Sequence, residues 1–155
     1  MFSNDLVINI LNYLDNNLYT QISINEISNF FKYNKDYIMR LFKKEINITI
    51  IDYINTKRIF LSLKKIRNTN DSILKTSLDA GFSSQEYFCE MFHKIIGVSP
   101  SKYRKSIKVG NDLSISDKNI IRKNIIKLSY LFNNVDKYKK NIPPKNTVKV
   151  LSIFK

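Results

Sequence analysis

The chain has 155 residues, a formal net charge of +13, one cysteine, one histidine and three glycines. That length buries one sizeable core, or one core and a small appendage, while Cys89 and His93 alone make neither an intramolecular disulfide nor a multi-ligand Cys/His metal centre, and three scattered glycines make no phosphate loop. No run approaches the roughly twenty apolar residues that span a bilayer, and MFSNDLVINILNYLDNN lacks a basic start and a small-residue cleavage site, so the expectation is a cytoplasmic protein without cofactor, metal or enzymatic chemistry.

Taken in order, Leu6, Val7, Ile10, Leu11, Leu14 and Leu18 recur at threes and fours behind Ser3 or Asn4, which predicts an amphipathic packing helix. Ser23 and Glu26 form an S-x-x-E capping box that opens a short helix with Ile24, Ile27 and Phe31. Asn34 then caps a second helix, with Ile38, Leu41 and Phe42 inward and Asn47 at its end. Ile50, Tyr53, Ile54, Ile59, Leu63 and Ile66 predict a longer helix that starts at Thr49 and stops at RNTND. Asn70 and Asp71 can cap a segment with Ile73, Leu74 and Leu78, and Gly81 stops it. Ser83 or Ser84 opens a helix with Phe88, Met91, Phe92 and Ile95 inward, ended by Gly97; Ser99 before Pro100 starts a last short one, which packs through Tyr103.

Two of these helices match. At an offset of fifty, YIMRLFKKEINIT (residues 37–49) lies over YFCEMFHKIIGVS (residues 87–99), pairing Tyr37 with Tyr87, Phe42 with Phe92, Lys44 with Lys94, Ile46 with Ile96 and Asn47 with Gly97. A tandem duplication explains this. Each copy follows a shorter helix across a tight turn, the pattern of a helix-turn-helix. The expected fold is therefore all-α: two helix-turn-helix motifs, homeodomain-like three-helix units at residues 22–47 and 71–97, joined by a linker helix over 49–67 within a domain of residues 1–107.

Gly81 and Phe82, Tyr87 and Phe88, Phe92, Lys94, Gly97, Pro100, Tyr103 and Arg104 form a spaced signature, supported by Ile38, Arg40 to Glu45, Tyr53, Ile54, Arg58 and Ile59. On these residues the chain resembles the DNA-binding region of the AraC/XylS family of bacterial transcription regulators, most like its MarA, SoxS and Rob subgroup, over residues 3–106. Lys32 stands at the turn position where that family often has glycine. The resemblance implies sequence-specific binding of double-stranded DNA, activation as the sign of regulation, RNA polymerase as the partner of an activator, and a nucleoid-associated location without a membrane partner. Two recognition helices in successive major grooves on one face of the duplex would stand about 34 Å apart and read an asymmetric site of about two turns, as a monomer-competent protein.

The candidate DNA contacts follow residue by residue. In the first motif they are Asn34, Lys35, Asp36, Met39, Arg40, Lys43 and Lys44: Arg40 suits a bidentate bond to guanine, the lysines suit phosphates, and Met39 suits a thymine methyl. In the second they are Ser83, Ser84, Gln85, Glu86, Cys89, Glu90, His93 and Lys94, with Tyr103 and Arg104 as phosphate or end contacts. The offset turns Lys35 into Gln85, Asp36 into Glu86, Met39 into Cys89, Arg40 into Glu90 and Lys43 into His93, so the second face is acidic where the first is basic. Affinity is then expected mainly from the first motif and modest specificity from the second. Cys89 beside Glu86 and Glu90 reads as a spectator thiol. Phe30, Phe31, Phe42, Phe88 and Phe92 read as core, which argues against stacking on single strands.

Residues 108–155 carry 11 of the 26 Lys+Arg and 3 of the 13 Asp+Glu, so the charge points to this basic extension more than to the motifs. Ser116 or Asp117 can cap a helix striped by Ile121, Ile125, Leu128, Phe132 and Val135; Pro143 and Pro144 break the chain, and Thr147 to Phe154 reads as a strand. Two other readings stay open: a ligand-responsive regulator whose extension is part of a sensor, and a degenerate helical protein-interaction module.

Overall fold

The computed structural model describes residues 3–108 and 113–140 and is all-helical over them. The helices are α1 (Ser3–Asn16), α2 (Ile24–Phe31), α3 (Lys35–Ile46), α4 (Ile50–Asn68), α5 (Ile73–Asp79), α6 (Gln85–Ile96), α7 (Pro100–Lys108) and α8 (Ile115–Lys139). They divide into two units, one built from residues 1–54 and 130–155 and the other from residues 55–129, so the chain of α4 and that of α8 each pass from one unit into the other. The strand expected at Thr147 to Phe154, the break at Pro143 and Pro144, and Gly110 lie outside the described residues. Among the described residues no helix is long and apolar enough to cross a membrane.

In the first unit, the apolar positions of α1 are buried from Leu6 to Leu14, as their spacing requires. They meet Ile27 of α2 and Ile38, Leu41, Phe42 and Ile46 of α3 in one core. Tyr53, in the first turns of α4, is fully buried at its centre: its ring meets Phe42 edge-on at 5.9 Å and Phe132 of α8 at 6.2 Å, and its hydroxyl donates to Asp15 Oδ1 at 2.9 Å. Asp15 also pairs with Lys139, and the Tyr138 hydroxyl donates to Glu45 Oε2 at 3.2 Å. The last turns of α8 are thus packed on this unit by both polar and apolar groups.

The second unit is organised by a run of aromatic rings. Phe82 meets Phe88 at 5.2 Å, Phe88 meets Phe92 at 5.7 Å, and Phe92 meets Tyr103 of α7 at 5.6 Å. Ile59, Leu63 and Ile66 of α4 supply the aliphatic face. The first turns of α8 close over the end of α6: Asn124 Nδ2 donates to the carbonyl of Ile96 at 3.0 Å, and Asp117 pairs with Lys102 at 2.8 Å. Gly97, at φ +95°, ends α6 directly beneath Ile120.

The capping chemistry explains most helix boundaries. Ser23 and Glu26 make both bonds of the capping box, Thr49 Oγ1 accepts from Asp52 N at 3.0 Å, and Ser99 Oγ accepts from Lys102 N at 3.2 Å. Asn47 and Gly97 take the left-handed conformation at the ends of α3 and α6. Lys32 takes it too, at φ 60° and ψ 33°, so the first turn keeps its geometry without glycine.

Four expectations are corrected. The cap of α5 is Ser72, not Asn70 or Asp71, and the cap of α8 is Ser114, not Ser116 or Asp117. The buried face of α5 is Thr76 and Ser77, while Leu74 and Leu78 are about half exposed. Both hydroxyls return to the helix itself, Thr76 Oγ1 to Ser72 O at 3.0 Å and Ser77 Oγ to Leu74 O at 2.7 Å, which is how small polar residues enter a core without orphaned donors. Phe30 is exposed rather than core, although its ring lies 4.8 Å from Tyr13 and 4.9 Å from Phe31.

Candidate nucleic-acid interface

Each candidate recognition helix starts at a side-chain cap and has one buried and one solvated face. On α3, Asn34 Oδ1 accepts from Asp36 N at 2.8 Å, which satisfies an otherwise orphaned amide. The turn before it is held by Ser28, whose hydroxyl donates to Tyr33 O at 2.6 Å, and by Tyr33 stacked on Tyr37 at 5.6 Å. With Ile38, Leu41, Phe42 and Ile46 buried, the helical period leaves Lys35, Asp36, Met39, Arg40, Lys43 and Lys44 on the outside, and all six are exposed. Four of them are cations, against one acid. All seven candidates of the first motif are therefore exposed, Asn34 among them.

On α6, Ser84 rather than Ser83 is the cap, its hydroxyl accepting from Tyr87 N at 3.1 Å. Glu86, Glu90, His93 and Lys94 are exposed, as is Ser83; Gln85 and Cys89 are half-buried. Burial, with the Glu86 carboxylate behind it, pushes the Cys89 thiol above its ordinary value. That keeps it a protonated, poor nucleophile at neutral pH. Tyr103 is buried against Phe92 and belongs to the core of its unit. Arg104 is half-buried, with Nε and Nη2 buried and without a hydrogen-bond partner.

One positioning residue escapes sequence reasoning. Asn55 of α4 is buried, and its amide donates to the Tyr87 hydroxyl at 2.7 Å, fastening the first turn of α6 to the linker helix. Its signal was an amide directly after the inward Ile54, in a helix otherwise read for its aliphatic stripe. Arg58, also buried in α4, lies with its guanidinium carbon 5.7 Å from the centre of the Phe82 ring, and burial lowers its pKa from the ordinary value. Both polar groups hold the ground beneath α6 rather than face outward.

Comparison with known proteins gives the same picture. Residues 27–106 match a helix-turn-helix domain family. The chain is 31% identical over 112 residues to the HTH-type transcriptional activator AarP of Providencia stuartii, covering 72% of this chain and 83% of that protein. It is 30% identical over 95 residues to the multiple antibiotic resistance protein MarA of Salmonella typhimurium, covering 61% of this chain and 75% of MarA. Among solved structures, a protein of unknown function from Listeria innocua superposes with a TM-score of 0.60 at 29% identity, over 63% of this chain and 92% of that one. The DNA-binding domain of AdpA, solved with a target DNA, shares the fold with a TM-score of 0.63 at 15% identity, over 70% and 97%. The duplicated capped helices, their solvated faces and these likenesses agree that the chain belongs to the AraC/XylS family of helix-turn-helix transcription regulators, and that residues 27–106 are its DNA-binding region.

Proposed function

We propose that the protein activates transcription by binding, as a monomer, an asymmetric duplex site of about two helical turns, with α3 and α6 in successive major grooves. Within that reading Arg40 bonds guanine, Met39 meets a thymine methyl, and Lys35, Lys43 and Lys44 neutralise phosphates. Gln85 reads adenine, and Lys94 and His93 lie toward phosphate. Glu86 and Glu90 repel the backbone unless one of them accepts from a cytosine amino group. The observation that carries this is the contrast between the two exposed faces: four cations and one acid on α3, and two acids with one lysine and one histidine on α6. Base contacts divided in this way give affinity from the first motif and selectivity from the second. An activator works through RNA polymerase at the nucleoid, and AarP, a relative named as an activator, supports that sign.

The test is a selection from random duplex DNA with the whole chain at about 150 mM salt, followed by the salt dependence of binding to the winning site. An enriched asymmetric site of about two turns is the expected result. Arg40→Ala should cost about 1–3 kcal/mol at that site, and Gln85→Ala clearly less. Equal losses, or an enriched half-site alone, would refute the division of labour; binding with no enriched site would refute sequence-specific regulation.

A further inference from the structure

Tyr87 stands in the first turn of α6 beside Gln85 and Glu86, and three groups of the second unit hold it. Its backbone N–H donates to the Ser84 hydroxyl at 3.1 Å, its ring meets Phe82 edge-on at 5.8 Å, and its hydroxyl oxygen accepts from the amide of buried Asn55 at 2.7 Å. It is nonetheless 37% exposed. Side chains fixed at backbone, ring and hydroxyl keep one orientation, and here that orientation leaves part of the residue in solvent.

A phenol has one proton to give and lone pairs with which to receive. Asn55 occupies the receiving side. Buried Arg58 stands nearby, its guanidinium carbon 5.7 Å from the centre of the Phe82 ring; burial lowers its pKa, and neighbouring Tyr87 partly offsets this. An amide donor and a cation both draw the lone pairs toward α4, so the hydroxyl proton turns the other way. Among the described residues nothing accepts that proton. A held, part-exposed donor without an acceptor is a place for one from outside the chain.

The rest of α6 says which acceptor. Where α3 begins with Lys35, α6 begins with Gln85; its first turn carries the acid Glu86, and its basic residues, His93 and Lys94, lie only in the last turn. A phosphate near the start of α6 therefore has to be met by neutral donors, and an O–H bonded to a charged oxygen is among the stronger hydrogen bonds. Tyr37, the counterpart of Tyr87 at the offset of fifty, is stacked on Tyr33 instead, and its hydroxyl bonds to no described residue. The phenol held by the linker helix belongs to the second motif alone.

We propose that the Tyr87 hydroxyl donates to a phosphate of the duplex at the edge of the groove that α6 enters, with Asn55 as the positioning residue that points it there. This rests on the function proposed above and supplies the second motif with an anchor near its acidic face. A neutral donor displaces no counterion, so this contact resists salt where a lysine contact does not.

The experiment uses the full chain and the site selected from random duplex DNA, remade with a single uncharged methylphosphonate in place of each phosphate of the second half in turn. At one position the replacement should lower wild-type affinity about fivefold or more, and that of Tyr87→Phe about twofold at most. Asn55→Ala should lose the same sensitivity, and adding it to Tyr87→Phe should cost nothing further. Each comparison sets two duplexes against one variant, so partial loss of folded protein cancels. On the unmodified site Tyr87→Phe should bind about five- to twentyfold more weakly, with the same preferred bases and the same salt slope, whereas loss of a lysine contact lowers the slope by about one. Equal methylphosphonate sensitivity in wild type and Tyr87→Phe at every position would overturn the contact, as would altered base preference in Tyr87→Phe, the sign of a base contact or a displaced helix. A further loss from Asn55→Ala in the Tyr87→Phe background would overturn the positioning role. Failure to select any site would overturn the regulatory reading itself, whereas a selected site without a coupled phosphate would overturn this contact alone.

Discussion

Gly97→Ala tests how the second motif is held against α8. At φ +95° an alanine is strained whatever surrounds it, which costs about 1–2 kcal/mol. The added methyl would also lie 2.4 Å from Ile120 Cγ2 and 3.3 Å from Asn124 Nδ2. Neither distance is tolerable without movement. Displacing Ile120 shifts the first turns of α8 and stretches the Asn124 bond to the Ile96 carbonyl, itself 3.0 Å long; overpacking of this kind adds about 1–3 kcal/mol. Together the expected loss is about 2–5 kcal/mol, read from urea unfolding of the full chain against wild type. Pairing it with Ile120→Ala in a double-mutant cycle separates the two causes. The second substitution removes the clash and leaves the backbone strain, so a coupling of about 1 kcal/mol or more is expected. A loss below about 0.5 kcal/mol, or the same loss in the Ile120→Ala background, would refute the packing argument.

Tyr53→Phe should cost about 1–2 kcal/mol, because it removes the buried hydroxyl that donates to half-buried Asp15. It should also flatten the alkaline limb of stability. Burial, with Asp15 beside it, raises the Tyr53 pKa far above the ordinary value; its stabilisation is therefore complete below the unfolded pKa near about 10 and is lost as pH rises beyond it, by up to about 1.4 kcal/mol per pH unit. Equal pH slopes for wild type and Tyr53→Phe in urea titrations at pH 9 to 11 would refute this. Lys32→Gly should stabilise by about 0.5–1 kcal/mol, since φ 60° is strained for lysine and not for glycine; thermal unfolding reads it, and a lower midpoint would mean the lysine side chain contributes more than its backbone costs. Glu90→Gln should tighten binding to the selected DNA site about two- to tenfold at moderate salt by removing an exposed carboxylate. A loss confined to sites with one particular cytosine, measured by fluorescence anisotropy, would show instead that Glu90 reads that base.

Local chemistry made much of this protein legible. A cap needs only a short side chain within reach of an amide two or three residues on, so Ser23, Asn34, Thr49 and Ser99 could be named from their neighbours alone. Helical period likewise separates the inner from the outer face of α3, and therefore selects Arg40 and Lys43 as outward candidates. Where two or three adjacent residues could cap equally well, the choice was not local. Ser72 and Ser114 were selected by where the packed helix must begin, and Asn70, Asp71, Ser116 and Asp117 are chemically competent losers. The same holds for burial on α5: hydropathy favours Leu74 and Leu78, but Thr76 and Ser77 face the core because their size and self-satisfied hydroxyls fit the space that α6 leaves. A stripe on α8 announces an apolar face without saying what covers it. Only the tertiary structure supplies Tyr53 and the end of α6 as its partners and joins Asn55 to Tyr87, since each depends on residues distant in the chain. Sequence by itself determined the helices, most of their caps and the family signature, because those are short-range properties; packing decided which polar groups are drawn into the core and which stay exposed.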